Sequence, residues 1–354
     1  MYLARLSQSE FLNFHLPENL ANAHADIYQL DEDSLQFVTA GKFNTDQLSH
    51  CDLSDSATVS NENISHQLVV IGEALNLEKL HKIQLAFHDK LTIKQWKIRP
   101  RATGIGIVAK GGVEYDEDAS IHGVIDEIAS QLRVELALIA TPPVLADGGL
   151  MVMDMDSTLI AMECIDEIAK LAGMGDKVAA VTEQAMQGKL DFTESLYNRV
   201  ECLTGVDVSL LEGIRDRLPL MPGVTKLLSY MQHHGWKVVI ASGGFTYFAD
   251  YLKARFSMYE AVSNTLEVKD GRLTGKVLGG VVDANVKAQT LQQLAQKLGI
   301  AQSQTIAVGD GANDLVMMSK AAMGVAYHAK PVVREKATAA IRFGGLDTLL
   351  DFLD

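Results

Sequence analysis

Residues 152–158 read VMDMDST, an apolar run followed by two aspartates one residue apart and then by two hydroxyl side chains. A second acidic cluster, GDGAND at 309–314, follows the largely apolar run 305–308. Each cluster is predicted to lie at the carboxyl end of a buried strand, where α/β folds bind their ligands. Carboxylate oxygens suit Mg²⁺, and an aspartate beside the ion can attack phosphate. The pair of clusters therefore indicates phosphoryl transfer.

The two aspartates of the first cluster are predicted to share one substrate. In a regular strand Asp154 and Asp156 would point to opposite faces, so the chain must turn near Met155. Asp154 directly follows the strand and suits attack on phosphorus, with a metal ion offsetting the charge repulsion. Asp156 suits protonation of the leaving alkoxide. For this stretch alone, two exposed aspartates that cap the following helix remain an alternative.

The second cluster is predicted to complete a metal site. Asp310 is the expected ligand, because Gly309 and Gly311 let the backbone turn tightly and approach the ion. Asn313 and Asp314 are expected to bind the ion through water or to orient its other ligands. A glycine-rich turn with an Asn/Asp cap is the alternative for this cluster alone. The presence of both clusters in one chain favours the metal site.

Two further segments are suited to binding an anion. Ser242, Gly243 and Gly244 follow an apolar run, and a hydroxyl with free backbone amides at a helix N-terminus would bind phosphate. Taken alone, this segment is more simply interpreted as an ordinary turn between a strand and a helix. Lys287 begins a predicted helix over 286–298, where a positive charge is unfavourable unless an anion lies nearby. A lysine by itself is more often a solvated surface residue.

These four segments, in this order, resemble the haloacid dehalogenase-like superfamily of phosphatases over about residues 150–330. The resemblance implies that Asp154 is the nucleophile and that Asp156 is the general acid and base. It also implies that Ser242 and Lys287 bind phosphate. Mg²⁺ would be bound by Asp154, by Asp310 and by the backbone carbonyl of Asp156.

Longer stretches resemble the phosphoserine phosphatase family within that superfamily. They include MDST at 155–158, AMQGKLDF at 185–192, VIASGGF at 239–245 and VKDGRLTG at 268–275. The resemblance implies a helical cap over the active site at about 160–218, in which Glu163 and Arg199 bind the amino-acid part of the substrate. Physical chemistry agrees, because a carboxylate attracts an ammonium and a guanidinium can bind a carboxylate through two hydrogen bonds. Met186 and Phe192 would form an apolar lid that excludes water.

The resemblance thus implies Mg²⁺-dependent hydrolysis of O-phosphoserine to serine and phosphate through an aspartyl-phosphate, the last step of serine biosynthesis. Without the resemblance, Glu163 and Arg199 are more simply interpreted as a surface charge pair. Two other functions remain open. One is a related phosphotransferase that uses another acceptor, such as homoserine, and the other is a catalytically silent amino-acid sensor.

The predicted fold has two parts. Over residues 149–354, alternating strands and helices indicate an α/β Rossmann-like parallel sheet with helices on both faces and the cap inserted after the first catalytic strand. Residues 67–148 read as an α+β ferredoxin-like domain, which resembles the small-molecule-binding ACT domain. An amino-acid effector could bind there, or the domain could serve dimerisation or stability. Residues 1–66 are not assigned.

Composition narrows the remaining function classes. The chain has 354 residues, of which 47% are hydrophobic, enough for two domains. A net charge of −14 opposes nonspecific binding of nucleic acid, and no apolar run approaches the length of a membrane span. The 3 cysteines are scattered, which predicts a reducing, cytoplasmic location. The expected partners are a small-molecule substrate and, through the N-terminal part, a second copy of the chain in a homodimer.

Overall fold

The computed structural model describes residues 64–75, 77–115, 121–187 and 189–354, together with the backbone of short strands before residue 64. The strands are β1 (Leu3–Ala4), β2 (Ala25–Asp31), β3 (Ser34–Thr39), β4 (Cys51–Asp52), β5 (His66–Gly72), β6 (Leu91–Pro100), β7 (Ile107–Tyr115), β8 (Glu135–Ile139), β9 (Leu150–Met153), β10 (Lys237–Phe245), β11 (Glu260–Lys269), β12 (Arg272–Leu278), β13 (Thr305–Gly309), β14 (Met323–Tyr327) and β15 (Ala339–Ile341).

The described α-helices are α1 (Leu77–Phe87), α2 (His122–Leu132), α3 (Cys164–Leu171), α4 (Gly175–Met186), α5 (Phe192–Glu201), α6 (Ser209–Arg215), α7 (Val224–His233), α8 (Thr246–Arg255), α9 (Ala284–Leu298), α10 (Leu315–Met318), α11 (Pro331–Arg334) and α12 (Leu349–Phe352). Among these helices, none combines the length and the apolar character that crossing a membrane would require.

Backbone contacts divide the chain into two compact units. The first comprises Met1–Pro142, Arg334–Gly344 and Thr348–Asp354. The second comprises Pro143–Val333 and Gly345–Asp347. The domain boundaries inferred from the sequence, after residues 66 and 148, stay predictions.

The second unit is built on a sheet in which β12, β11, β10, β9, β13 and β14 lie side by side. Strand β9 pairs in parallel with β10 on one side and with β13 on the other. All residues of β9 are buried, as expected for a central strand covered on both faces. The chain passes from β9 to β10 on one side of β9 and later returns to β13 on its other side. The carboxyl end of β9 therefore lies at a topological switch point, where ligands bind. The predicted α/β fold with a parallel sheet is confirmed.

Strand β10 extends beyond the apolar run that precedes Ser242 in the sequence. It continues through Phe245, so Ser242 lies within the strand and not at the N-terminus of the following helix. The pairing of β10 with β11 shifts register, since Ala241 pairs with Val262 but Phe245 pairs with Asn264. Residues 242–244 therefore form a bulge, which bends the strand and changes the direction of its side chains.

Helices α3, α4, α5 and α6 follow β9 and occupy the segment that the resemblance assigned to a helical cap. The helix that carries Arg199, α5, begins with a capping box. The side chain of Asp191 accepts a hydrogen bond from the backbone of Glu194 at 2.8 Å, and the Glu194 carboxylate accepts one from the backbone of Asp191 at 3.2 Å. This cap fixes where α5 starts and hence where Arg199 lies along it.

The first unit contains an antiparallel sheet in the order β3, β2, β6, β7, β5, β8. From β5 onwards the order of elements is βαββαβ, in agreement with the predicted ferredoxin-like pattern. The apolar core includes Leu68, Phe87 and Trp96, all buried. Strands β2 and β3, in the unassigned residues 1–66, extend the sheet at one edge. An ACT-like role for this unit stays a prediction.

The end of the chain forms part of the first unit, which the sequence pattern does not predict. The buried carboxylate of Asp351 accepts hydrogen bonds from Arg99, from Arg101 and from the backbone N–H of Ala102. Glu135, also buried, accepts hydrogen bonds from the backbone N–H groups of residues 342–344. Buried carboxylates are tolerated because they are partnered in this way. A fragment that ends near residue 148 would lack these partners.

Candidate active site

A pocket of about 280 Å³ lies at the carboxyl ends of β9, β10 and β13. The predicted site residues that line it are Asp154, Asp156, Glu163, Phe192, Arg199, Ser242, Gly243, Asp310 and Asn313. Gly244, which follows Ser242 and Gly243 in the predicted phosphate-binding segment, also lines the pocket, whereas sequence reasoning did not select the apolar wall residues Ile165, Leu196 and Phe245. The side chain of Met186 lies outside the described residues, so its predicted place in a lid stays a prediction.

Asp154 is held rigidly at the end of β9. Its backbone N–H continues the strand ladder to Val308 at 3.0 Å. One carboxylate oxygen accepts the backbone N–H of Met155 at 2.7 Å, and the other accepts a hydrogen bond from Lys287 Nζ at 2.6 Å. A carboxylate fixed in this way by a backbone amide and an ammonium loses little further freedom when it reacts.

The contacts of Lys287 explain why a positive charge lies near a helix N-terminus, where it is ordinarily unfavourable. Helix α9 begins at Ala284, behind the N-cap Asp283, and the side chain of Lys287 is buried against two carboxylates. Its Nζ lies 2.6 Å from Asp154 and 2.8 Å from Asp314. Burial alone would lower the pKa of Lys287, but the charges of Asp154 and Asp314 raise it above its ordinary value. The side chain therefore stays protonated.

Three carboxylates, those of Asp154, Asp310 and Asp314, each place an oxygen within 4.8 Å of the other two. Thr158 donates a hydrogen bond to Asp310 at 3.2 Å, and the second oxygen of Asp314 accepts the backbone N–H of Gly311 at 3.1 Å. The ammonium of Lys287 contacts two of the three carboxylates, those of Asp154 and Asp314, so the cluster has more acidic groups than cations. Such an oxygen-only cluster could hold a divalent metal ion.

Asp156 has the environment of an acid that keeps its proton. One carboxylate oxygen accepts the backbone N–H of Cys164 at 3.2 Å. The other is buried and finds no hydrogen-bond partner among the described residues. Burial, together with the charge of Glu163, raises the pKa of Asp156 to about 8. The chain turns after Met155, as predicted, so that Asp156 lines the same pocket as Asp154.

Two opposite charges line the cap side of the pocket. Glu163 accepts a hydrogen bond from the Ser157 hydroxyl at 2.7 Å, and Ser157 itself has a left-handed backbone with φ 55°. Arg199 donates from Nε to the backbone carbonyl of Ser195 at 3.3 Å, one turn earlier on α5. A carboxylate and a guanidinium in one pocket suit a ligand that carries both an ammonium and a carboxylate.

The bulge in β10 brings a hydroxyl and two glycines against the pocket. Ser242 is buried, and its Oγ accepts the backbone N–H of Gly244 at 3.1 Å. A Cβ on Gly243 would lie 2.9 Å from the ring of Phe192, and a Cβ on Gly244 would lie 2.6 Å from Met155. Only glycine fits at either position without displacing a neighbour, so the bulge can pack closely against Phe192 and Met155.

Three polar residues that hold parts of the site, Ser157, Thr158 and Asn264, were missed by sequence reasoning, although Ser157 lies inside the first motif. Thr158 lies inside the first motif but was not given a role, although its hydroxyl contacts Asp310. Asn264 carries no local signal, because it lies on β11 and contacts Gly243 and Val282 only through the tertiary fold. Its alternating strand pattern alone does not distinguish it from an ordinary strand residue.

Comparisons with known proteins agree with this arrangement. A family model described as haloacid dehalogenase-like hydrolase matches residues 151–319. A phosphoserine phosphatase of Haemophilus influenzae is 46% identical over 286 residues, which are 80% of this chain and 88% of that relative. The chain belongs to the phosphoserine phosphatase family. As a member of that family, it is an enzyme of the haloacid dehalogenase-like hydrolase superfamily.

Solved structures of phosphoserine phosphatases are also similar to this chain. An unliganded crystal structure of a probable phosphoserine phosphatase from Vibrio cholerae superposes with a TM-score of 0.70 at 38% identity, covering 99% of this chain and 94% of that one. A substrate-bound phosphoserine phosphatase complex superposes with a TM-score of 0.55 at 37% identity, covering 58% of this chain and 99% of that one.

Proposed function

We propose that this family member hydrolyses O-phosphoserine to serine and inorganic phosphate, with Mg²⁺ bound and through an aspartyl-phosphate on Asp154. One observation carries the proposal. A single pocket is lined by Asp154 paired to Lys287, by Asp156, one of whose buried oxygens has no hydrogen-bond partner in the part of the chain that the structure describes, and by the charged pair Glu163 and Arg199. The names of the relatives, one of them a substrate-bound phosphoserine phosphatase, support the choice of substrate.

In the first step, a carboxylate oxygen of Asp154 attacks phosphorus and the bond between phosphorus and the serine oxygen breaks. Asp156 donates its proton to the departing oxygen, which would otherwise leave as a strongly basic alkoxide. Ser242 and Lys287 donate hydrogen bonds to the phosphoryl oxygens. Because these donors are already in place, they stabilise the transition state without reorganisation.

In the second step, a water molecule attacks the phosphorus of the aspartyl-phosphate. Asp156, now ionised, accepts the proton of that water. The bond between phosphorus and Asp154 breaks, which releases phosphate and restores the carboxylate. Asp156 therefore acts first as acid and then as base, and ends the cycle protonated.

A Mg²⁺ ion would be held by the carboxylates of Asp154 and Asp310 and by the backbone carbonyl of Asp156. The excess of acidic groups in the carboxylate cluster and its oxygen donors fit such an ion. When bound, the ion supplies positive charge that offsets the repulsion between a carboxylate nucleophile and a phosphate. Thr158 orients Asp310, and Asp314 holds Lys287 toward Asp154.

Substrate choice should be measured by phosphate release across a panel of phosphorylated metabolites with Mg²⁺ present. We expect the highest kcat/KM for phosphoserine. Chelation of the metal should lower that rate by a factor on the order of 10³, and Mg²⁺ should restore it. A rate that is insensitive to chelation, or phosphate that appears only in added alcohol acceptors such as homoserine, would argue for one of the alternatives.

Replacing Arg199 with Ala is expected to raise KM for phosphoserine by roughly 10-fold to 100-fold, because a charge-assisted hydrogen bond to the substrate carboxylate is lost. Turnover of p-nitrophenyl phosphate, which has no carboxylate, should change much less. The matched control is Arg217→Ala, since Arg217 makes the same contact to a carbonyl one turn back, that of Gly213, and does not line the pocket. Equal losses on both substrates would count against carboxylate recognition.

The amino-acid effector, the homodimer and the cytoplasmic location inferred from the sequence stay predictions. Because the first unit includes the end of the chain, effector binding is properly measured on the whole chain and not on residues 1–148.

A further inference from the structure

Asn264 on β11 uses both ends of its side chain to join two other segments. It is buried, with 1% of its surface exposed. Its Nδ2 donates a hydrogen bond to the backbone carbonyl of Gly243 at 2.8 Å, and its Oδ1 accepts one from the backbone N–H of Val282 at 2.9 Å. A buried amide whose donor and acceptor are both used by backbone groups fixes those groups in space.

The two joined segments carry the proposed phosphate-binding residues. Gly243 follows Ser242 in the bulge of β10. Val282 directly precedes Asp283, whose side chain caps helix α9, and Lys287 lies on the first turn of that helix. Asn264 thus links the segment that places a hydroxyl to the segment that places an ammonium.

The regular backbone does not provide this link. The ladder between β10 and β11 is interrupted over residues 242–244, so strand pairing alone does not fix the bulge. The segment before α9 contains Gly279 and Gly280, and Gly279 has a positive φ of 77°. Two glycines leave such a segment with few constraints of its own. The two hydrogen bonds of the Asn264 amide hold both the bulge at 242–244 and the segment that precedes α9.

We propose that Asn264 is a positioning residue for phosphoryl transfer, which holds the bulge and the start of α9 so that Ser242 and Lys287 converge on one phosphoryl group. The inference rests on the proposed function only in taking these two residues to bind phosphate. A displacement of about 1 Å between groups that act on one reacting centre can cost roughly 100-fold in rate. Loss of one hydrogen bond of Asn264 would permit such a displacement without disrupting the sheet.

The test is Asn264→Asp, which keeps the shape and the acceptor for Val282 but cannot donate to Gly243 when ionised. We expect kcat/KM to fall about 10-fold or more, because the Gly243 carbonyl loses its buried partner. The inhibition constant for inorganic phosphate should rise by a similar factor.

The matched control is Thr305→Val, at the amino end of β13, whereas the pocket lies at the carboxyl end of that strand and is not lined by Thr305. Thr305 is fully buried and its hydroxyl also joins two backbone groups, donating to Gln302 at 2.7 Å and accepting from Ala322 at 2.9 Å. This variant should lower the midpoint of thermal unfolding but leave kcat/KM and phosphate inhibition within about 2-fold, because it removes buried hydrogen bonds outside the site.

A second comparison asks whether Asn264 acts through the bulge. In a Ser242→Ala background, Asn264→Asp should have a clearly smaller effect on kcat/KM, because residues that act as a unit are not additive. The proposal is overturned if Asn264→Asp behaves like Thr305→Val, or if its full effect persists without the Ser242 hydroxyl. If the aspartate variant does not fold, Asn264→Ser is compared with Thr305→Val and tested in the Ser242→Ala background in the same way. The same two results would overturn the proposal.

The choice of substrate does not confound the result. If the wild-type chain hydrolyses another phosphate ester but not phosphoserine, the proposed substrate is wrong, and Asn264 is tested on that ester or on p-nitrophenyl phosphate. If the wild type hydrolyses phosphoserine and Asn264→Asp is unimpaired, only the positioning role is wrong.

Discussion

Replacing Asp154 with Asn is expected to lower kcat for phosphoserine by a factor on the order of 10⁴ or more, the scale seen when a covalent nucleophile is removed. The amide is neutral and a poor nucleophile, so the first step should stop. The fold should survive, because the amide oxygen can still accept the hydrogen bond from Lys287, Asp314 keeps its own contact with that ammonium, and only the hydrogen bond from the backbone N–H of Met155 is lost. Steady-state assays and thermal unfolding measure the two effects separately.

The matched control for this variant is Asp250→Asn, an exposed carboxylate on α8 that does not line the pocket. It should keep the wild-type rate, because removal of a solvated charge alone changes little. A folded Asp154→Asn enzyme with more than a few per cent of wild-type turnover would show that another group attacks phosphorus.

Replacing Asp156 with Asn is expected to lower kcat for phosphoserine by about 10²-fold to 10⁴-fold, the range for loss of a positioned acid or base. The serine oxygen is a poor leaving group without a proton, and a side-chain amide in place of the carboxyl group has no acidic proton to give. The p-nitrophenolate ion leaves without protonation, so the first step with p-nitrophenyl phosphate should remain fast. Hydrolysis of the aspartyl-phosphate still needs a base and should become slow.

The two-step mechanism therefore predicts a burst in the Asp156→Asn enzyme. Stopped-flow absorbance should show rapid release of p-nitrophenolate equal to the concentration of active sites, followed by slow turnover. The wild-type enzyme should show a much faster steady state. If there is no burst and turnover of both substrates slows equally, Asp156 does not act as the acid in the first step and as the base in the second.

The parts of the site that sequence reasoning predicted are those encoded locally. Asp154 and Asp310 each follow a buried strand, and the geometry of parallel strands brings their ends together. The unfavourable charge of Lys287 near a helix start predicted an anion, and the structure supplies Asp154 and Asp314. In each case a pattern a few residues long determines the position of the side chain.

The parts that were not predicted depend on contacts between distant residues. Ser242 was placed at a helix N-terminus because its Gly-Gly sequence reads as a turn, but pairing of Phe245 with Asn264 continues the strand. Residues 135 and 343 are 208 apart in the chain, yet the Glu135 carboxylate accepts the backbone N–H of Phe343. Tertiary pairing of this kind overrides local propensity and leaves no periodic signal.

In the proposed mechanism, Asp154 carries the phosphoryl group during each turnover. The most direct measurement mixes the enzyme and Mg²⁺ with phosphoserine that bears a radiolabelled phosphate, quenches with acid within the first turnover and maps the label after digestion. We expect label on the peptide that contains Asp154, and none in the Asp154→Asn enzyme. Release of labelled phosphate by the wild type without a labelled peptide, or label on another residue, would contradict it.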